Sequence, residues 1–362
     1  MAKRIAVVVS QGQSQNPAKR DLEENIVAGL LFENGIDVTV IPNLYDLSPD
    51  GTGMLALQGV KGNMVLMSWL YSRAAHWVLS RNDIRGHVGT TLLQTDDDED
   101  EDEDFLDDEL AEEDADEKAR VEDQLEIPDR KIYCVTLKTE TTFEQYIEEI
   151  KRIASENTVQ VVELGDWVQG SPSEQQLDRF KNPANDTHVG HSPPTRQNPL
   201  PQLETPIEPL RIEEDGGRRW YPVIDFGRCT NCMECIDFCL FGVYGVDQVD
   251  TILVEQPDNC RKGCPACSRV CPENAIIFPQ HKTPAIAGAE VAVGALKIDL
   301  SQLFGAPSAV EVAALERDEQ LVIAGRDTVG LTVGIPKRQS DKEDGPPDEL
   351  DQLVDELDAL DL

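Results

Sequence analysis

The stretch CTNCMECIDFC, residues 229–239, places four cysteines within eleven positions, and CRKGCPACSRVC, residues 260–271, places four more within twelve. The chain has nine cysteines in 362 residues, so all but one lie in these two runs. In a reducing compartment, cysteines at this density are typical of metal or cluster ligation rather than of a disulfide framework. The two runs therefore predict a small domain whose folding depends on a bound metal or cluster.

The spacing is CxxCxxCxxxC in the first run and CxxxCxxCxxxCP in the second. Here the chain resembles the bacterial two-cluster ferredoxins, over about residues 221–279. The resemblance implies two 4Fe-4S clusters with crossed ligation, since in that family the fourth cysteine of each run binds the cluster of the other run. It assigns to the first cluster Cys229, Cys232, Cys235 and Cys271. It assigns to the second cluster Cys260, Cys264, Cys267 and Cys239.

The two runs depart from the family pattern at two places. Cys239 is followed by Leu240 where the family usually has proline, and three residues rather than two separate Cys260 from Cys264. We expect Gly263 to absorb the additional residue by adopting a positive φ. The family also implies that CPENAII, from Cys271, turns into a short helix with Pro272 at its start. The expected apolar shell around the clusters comprises Ile236, Phe238, Phe241, Val243, Ile276 and Phe278.

The cysteine spacing fits other metal sites less well than clusters. Structural zinc sites usually combine two CxxC-like pairs separated by a long excursion, which does not match four cysteines within eleven residues. A three-iron cluster usually accompanies loss of the middle ligand, yet Cys232 and Cys264 are both present. The ninth cysteine, Cys134, lies in the apolar stretch IYCVTL and is expected to be a buried core thiol.

The N-terminal part of the chain predicts a different kind of domain. The β-branched run IAVVVS precedes a helix with Asn16 as N-cap and Pro17 at its first position; Gly35 ends the helix before the strand IDVTVIP. Further apolar runs at 63–70, 87–93, 132–137 and 159–164 alternate with helical candidates such as 142–156. This alternation predicts a doubly wound, flavodoxin- or Rossmann-like α/β domain over residues 1–165, with a parallel sheet covered on both faces.

The remaining segments differ in composition. Acidic residues occupy 17 of the 22 positions from Asp96 to Glu117, which predicts a disordered insertion over 95–130 that either attracts a basic partner or only aids solubility. Residues 166–219 are rich in proline and predict a linker. The 4Fe-4S domain follows at 220–280. Next comes a small accessory segment at 281–340, with a helix from Ser308 that has a capping box to Glu311, and then an acidic tail at 341–362.

Net charge limits the classes of partner. The formal charge of −37, from 32 basic and 69 acidic residues, argues against nucleic acid and anionic membranes as main partners and favours a redox partner with a basic surface. The five apolar residues Ile5–Val9 are too few for a secretory signal, and no stretch approaches the roughly 18 apolar residues of a membrane-spanning helix. We therefore expect a cytoplasmic protein without membrane insertion, and the sequence leaves its oligomeric state open.

Three functions are consistent with these patterns. The first is a ferredoxin-like electron carrier without catalytic residues, since nothing near the cysteines resembles a catalytic acid or base. The second is an oxidoreductase whose α/β domain binds flavin or nucleotide at the loop SQGQSQNP, where a phosphate could contact Ser10, Gly12 and Ser14. This loop lacks both GxGxxG and GxxxxGK[ST]. The third is a non-catalytic interaction protein whose clusters are structural or sense oxidants.

One aromatic patch gives a further candidate site. The stretch SWLYSRAAHWV, residues 68–78, contains Trp69, Tyr71, His76 and Trp77. These side chains either line a pocket, with His76 as ligand or base, or belong to the hydrophobic core, which is the commoner arrangement.

Overall fold

The computed structural model describes residues 4–93, 119–139, 142–157, 208–214, 216–289 and 307–334. The predicted strand at 159–164, the acidic run at 96–117 and the acidic tail lie outside the described residues. The described strands are β1 Ile5–Ser10, β2 Ile36–Ile41, β3 Met64–Ser68, β4 His87–Val88, β5 Lys131–Thr136, β6 Leu210–Arg211, β7 Val223–Ile224, β8 Tyr244–Val246, β9 Ile252–Val254 and β10 Ile276–Ile277. The described α-helices are α1 Pro17–Leu31, α2 Thr52–Gly59, α3 Ser72–Arg81, α4 Phe143–Asn157, α5 Glu234–Phe238, α6 Ala266–Val270, α7 Pro284–Ala287 and α8 Ala309–Ile323.

Six parallel strands form one sheet in the order β4-β5-β3-β1-β2-β6. Strand β1 lies inside the sheet, and its Val7, Val8 and Val9 are all buried because both faces are covered. Helices α1 and α4 cover one face with buried residues such as Ile26 and Ile150. Helices α2 and α3 cover the other face. The predicted parallel α/β architecture is therefore confirmed.

Local signals placed helix α1 correctly. The Asn16 side chain accepts a hydrogen bond from the Ala18 N–H at 3.1 Å, and Pro17 begins the helix. The helix ends at Leu31, before Gly35, whose φ is +83°. The apolar run at 87–93 was expected to be a longer strand, but β4 is limited to two exposed residues, which lie at the edge of the sheet.

The cysteine-rich unit, residues 216–289, is a small α+β structure. Strand β7 pairs antiparallel with β10, and β8 pairs antiparallel with β9. Helices α5 and α6 each contain the third cysteine of a run and end just before the fourth. Outside this unit, α8 begins with the predicted capping box of Ser308 and Glu311 and packs against α6. The short elements share one core in which the cysteines themselves are packed.

Two segments expected to lack structure contribute to the fold. The predicted linker extends to residue 219, yet Leu210 and Arg211 pair with β2 as an edge strand. The predicted insertion extends to residue 130, yet residues 121–124 form a 3-10 turn against the cysteine-rich unit. The Val121 N–H donates to the Cys229 carbonyl at 3.0 Å. The composition of these segments predicted disorder. Their described ends are ordered because their backbone groups form hydrogen bonds with residues elsewhere in the chain.

The cysteine-rich unit packs directly on the α/β domain. Tyr45 and Tyr221 stack with ring centroids 4.3 Å apart, and the Tyr221 N–H donates to the Tyr45 hydroxyl at 2.6 Å. Arg73 Nε lies 2.5 Å from Asp225 Oδ2, and Arg73 Nη2 donates to the Asn274 carbonyl at 2.6 Å. The proline-rich composition predicted a unit tethered by a linker; the two parts instead share a hydrophobic core.

We expect the Asp225→Asn variant to destabilise the protein by roughly 3 kcal/mol or more, because it leaves the Arg73 charge buried without its carboxylate. Both side chains of this pair are only 5% exposed. The matched control is Asp37→Asn, whose pair with Arg4 is exposed and should cost less than about 1 kcal/mol. Chemical denaturation under anaerobic conditions measures both changes. Equal losses in the two variants would contradict the role assigned to the buried pair.

Candidate metal centres

Eight cysteines line two separate cavities in the cysteine-rich unit. The first cavity is lined by Cys229, Cys232, Cys235 and Cys271. The second cavity is lined by Cys239, Cys260, Cys264 and Cys267. Each cavity thus takes three cysteines from one run and the fourth from the other, and none of the eight forms a disulfide. This division is the one that the ferredoxin resemblance implies.

Helices α5 and α6 explain how each run reaches both cavities. Cys235 lies within α5 and lines the first cavity, whereas Cys239 caps the C-terminal end of α5 and lines the second. Four helical residues advance about 6 Å along the axis, enough to carry the fourth cysteine to the neighbouring cavity. Helix α6 repeats this arrangement in the opposite direction, with Cys267 in the second cavity and Cys271 in the first.

Residues with positive φ turn backbone N–H groups toward the sulfur atoms. Asn231, at φ +57°, donates its N–H to Cys229 Sγ at 3.5 Å. At the second cavity, burial raises the pKa of Cys239, while N–H groups of the turn around Gly242, at φ +67°, lower it. N–H donors on sulfur stabilise thiolate and the negative charge of a cluster. Gly263 has φ +89°, so the expectation for the additional residue in the second run is confirmed.

The segment after Cys271 differs from the expectation. A short helix beginning at Pro272 was predicted, but the chain makes a turn and enters strand β10 directly. Asn274 has φ +49°, which a right-handed helix does not allow, and the Ala275 N–H donates to Cys271 Sγ at 3.2 Å. The turn is favoured because it gives the sulfur a donor that a helix would have used internally.

The surroundings of the thiols are apolar. Of the six residues expected to form the shell, four are buried and two are partly buried: Phe238, Val243, Ile276 and Phe278, then Ile236 and Phe241. Burial raises the pKa of Cys229 and of Cys264 to about 11. Four thiolates together therefore need a compensating cation, which the iron of a cluster supplies. The donor set fits an iron-sulfur cluster in each cavity.

Across the part of the chain that the structure describes, no three His, Cys, Asp or Glu side chains converge closely enough to hold one metal ion.

A buried arginine from outside the cysteine-rich unit lines the second cavity. Arg317 of α8 is 1% exposed, and its guanidinium lies 4.4 Å from the centroid of the Phe238 ring. It donates to the carbonyls of Val333 at 2.9 Å and Gly330 at 2.6 Å. The Asp318 carboxylate lies 3.5 Å from its Nε. Arg317 lowers the pKa of Cys264, although burial, the larger effect, raises it.

The capping box predicted the start of α8, but the position of Arg317 at the second cavity was not predicted. The signal was available, because Arg317 falls four residues after Ala313 and four before Leu321, both buried, on the inner stripe of the helix. A cationic residue on the apolar face of a helix indicates that its charge interacts with a buried group.

The polar residues that line the first cavity differ from those of the second. Its lining includes Glu234 and Glu273, which are 4% and 7% exposed. The partly exposed guanidinium of Arg120 lies 3.4 Å from the Glu273 carboxylate. The two cavities therefore differ in electrostatics: carboxylates lie beside the first and a guanidinium beside the second.

A carboxylate of the chain itself occupies the centre of the predicted phosphate loop. Glu23 is 2% exposed and accepts hydrogen bonds from the Gly12 N–H at 2.7 Å, from Trp69 Nε1 at 2.7 Å and from Arg20 at 3.0 Å. A Cβ added at Gly12 would lie 2.7 Å from the Trp69 ring. The loop follows β1, where doubly wound folds bind phosphates, but here the internal carboxylate of Glu23 takes the Gly12 N–H.

The two serines of this loop are also engaged within the chain. Ser10 Oγ donates to the Pro42 carbonyl at 3.2 Å and accepts from the Leu44 N–H at 2.8 Å. Ser14 Oγ accepts from the Asn16 N–H at 3.1 Å. The structure therefore does not bring Ser10, Gly12 and Ser14 together as a phosphate cradle.

The remaining sequence candidates belong to the core. The structure buries Tyr71, His76 and Trp77. The rings of His76 and Trp77 meet edge to face, with 5.1 Å between their centroids. Burial lowers the pKa of His76. Trp69 is only partly buried and packs against the core that includes α1. Cys134 is 5% exposed in β5, and burial raises its pKa to about 12. The prediction of a buried core thiol is confirmed.

Comparison with known proteins gives one relative. The chain is 46% identical over 83 residues to an uncharacterized ferredoxin of Methanocaldococcus jannaschii. The match covers 22% of this chain and 56% of that ferredoxin, so the chain spans little more than half of the relative's length. No protein-family model and no solved structure matches the chain. The similarity supports a ferredoxin-like domain over the matched part of the chain. Separately, no helix among the described residues has the length and apolar character to cross a membrane.

Proposed function

We propose that this chain is an electron-transfer protein with two 4Fe-4S clusters held by crossed ligation. Cys229, Cys232, Cys235 and Cys271 would hold the first cluster, and Cys260, Cys264, Cys267 and Cys239 the second. The observation that carries the proposal is the division of the eight cysteines between two cavities, three from one run and one from the other. The similarity to a ferredoxin supports it independently.

The chain's own residues have defined tasks in this function. The bound clusters would supply one-electron exchange. The cysteines fix their positions, N–H donors such as those of Asn231 and Ala275 stabilise negative charge on sulfur, and the apolar shell excludes water. Crossed ligation joins the two runs into one folding unit, since neither site is complete without both.

We infer the relative reduction potentials of the two clusters from the charge beside the second cavity. Reduction adds negative charge, which the buried guanidinium of Arg317 would stabilise at the second cavity. In our proposal the second cluster therefore has the higher potential, and an electron entering at the first cluster moves to the second.

The alternatives have less support. The flavin or nucleotide hypothesis would use the Gly12 N–H of the loop, which Glu23 already occupies. No observation specifically favours a structural or oxidant-sensing role for the clusters. A redox partner with a basic surface and a cytoplasmic location stay predictions, which rest on the net charge and on composition.

Reversible reduction tests this function. We expect anaerobically purified protein to be brown, to bleach with dithionite and to recover its visible absorbance on reoxidation over repeated cycles. Absorption and EPR spectra taken at each stage measure this. Clusters that dithionite cannot reduce would contradict electron transfer, and yellow flavin bands in the isolated protein would favour the oxidoreductase instead.

A further inference from the structure

A groove opens beside Cys260 at the edge of the second cavity. It has a volume of about 740 Å³ and is lined in part by Phe241, Asp258, Cys260, Arg261, Lys262 and Arg326. Three of these residues, Phe241, Cys260 and Arg261, also line the second cavity. The groove is therefore continuous with the proposed position of the second cluster, and we call it the basic groove.

The charge of the basic groove is opposite to that of the whole chain. Arg261, Lys262 and Arg326 contribute three cations, whereas Asp258 contributes the one anion of the lining. Asp258 already pairs with Arg219 at 3.0 Å. The chain has a net charge of −37, but charges farther than about 8 Å are largely screened at physiological ionic strength. A partner close to Cys260 therefore meets a local positive potential.

Contacts to the segments around the second cavity hold two of these cations in place. Arg326 Nη1 donates to the Leu240 carbonyl at 3.0 Å, immediately after Cys239. The Arg261 guanidinium lies 5.8 Å from the centroid of the Phe241 ring. Ile323 also lines the groove and is 65% exposed, which gives the positive surface an apolar anchor. An apolar centre with a charged rim is the usual composition of a protein interface.

We propose that the basic groove docks an acidic electron-acceptor protein, which takes one electron at a time from the second cluster. This inference rests on the proposed function and names a partner for it. Charge complementarity selects an acidic surface here, in contrast to the basic partner expected from the net charge. In the proposed function an electron moves from the first cluster to the second, beside Arg317, so the groove next to the second cluster is suited to delivery rather than uptake.

Reoxidation by a small anionic oxidant tests the groove. Reduced holoprotein is mixed in stopped flow with tris(oxalato)cobaltate(III); each cobalt(III) takes one electron from a cluster and becomes cobalt(II). We expect the triple variant Arg261→Gln, Lys262→Gln, Arg326→Gln to react roughly tenfold more slowly or worse at low salt. The control triple variant Arg4→Gln, Lys61→Gln, Lys131→Gln has the same change in charge at exposed sites outside the groove and should lose less than about twofold.

Two further measurements complete the test. The first separates the effect of charge from that of packing, and the second asks whether an acidic polymer, as well as a small anion, binds the groove. The variant Arg261→Lys, Arg326→Lys keeps both charges and should retain the wild-type rate. Poly-L-glutamate, added as an acidic polymer, should slow the oxidation of the wild-type protein and leave the groove triple variant unaffected. Iron content and EPR spectra of every variant establish that both clusters are present.

The outcomes distinguish the two proposals. Equal rates for the groove and control triple variants, or no protection by poly-L-glutamate, would overturn the acidic docking surface while the clusters stay reducible. A wild-type chain without reducible clusters would overturn the proposed electron transfer, and this inference with it.

Discussion

The Cys271→Ala variant is expected to lose the first cluster and retain the second, although Cys271 belongs to the second cysteine run. The reason is geometric: Cys271 lines the same cavity as Cys229, Cys232 and Cys235. The loss should remove about half of the iron. Because cluster binding supplies folding free energy on the scale of about 10 kcal/mol in small metal-dependent domains, the variant should also unfold more readily.

Iron analysis and EPR spectra of the reduced variant measure this loss. The reciprocal variant, Cys239→Ala, should lose the second cluster, since Cys239 lines the second cavity. Cys134→Ala is the matched control: this thiol is buried in β5 among apolar core residues, so both clusters should stay. A Cys271→Ala protein that keeps the first cluster and lacks the second would rule out crossed ligation.

The second large effect is expected from Arg317→Gln, which should lower the reduction potential of the second cluster and leave that of the first unchanged. The guanidinium is 1% exposed and lines the second cavity, so water screens its charge poorly. We expect a shift of at least tenfold in the reduction equilibrium, which is about 59 mV for a one-electron couple.

An EPR-monitored redox titration measures both potentials. Arg317→Lys keeps the charge and should recover most of the shift. The double variant Arg269→Gln, Glu316→Gln is the structural control, because it removes the 2.9 Å contact between α6 and α8 without changing the net charge near the second cavity. If this double variant and Arg317→Gln shift the potential equally, Arg317 acts through packing alone and the proposed electron order fails.

Local patterns were sufficient for much of the fold and of the site. Apolar β-branched runs predicted the parallel sheet, and Asn16 with Pro17 predicted the start of α1. The additional residue in the second run predicted the positive φ of Gly263. These features depend on residues that are neighbours in the sequence. The steric and hydrogen-bonding preferences of such residues determine the local backbone conformation.

Features that depend on distant partners were missed. Arg73 and Asp225 are 152 positions apart, and nothing near either residue indicates their pairing. Leu210 and Arg211 lie in a stretch whose composition suggests a linker, yet β2 offers a free edge for them. The family's helix after Cys271 was carried over, but the sulfur of this cysteine takes the Ala275 N–H and favours a turn. Long-range contacts decided the first two outcomes, and a local contact to sulfur decided the third.

Native mass spectrometry of the intact chain, purified without oxygen and combined with iron and sulfide analysis, tests the central claim most directly. The account predicts one species whose added mass equals two 4Fe-4S clusters, with iron and sulfide in equal amounts. A colourless protein that carries zinc and no sulfide would contradict it.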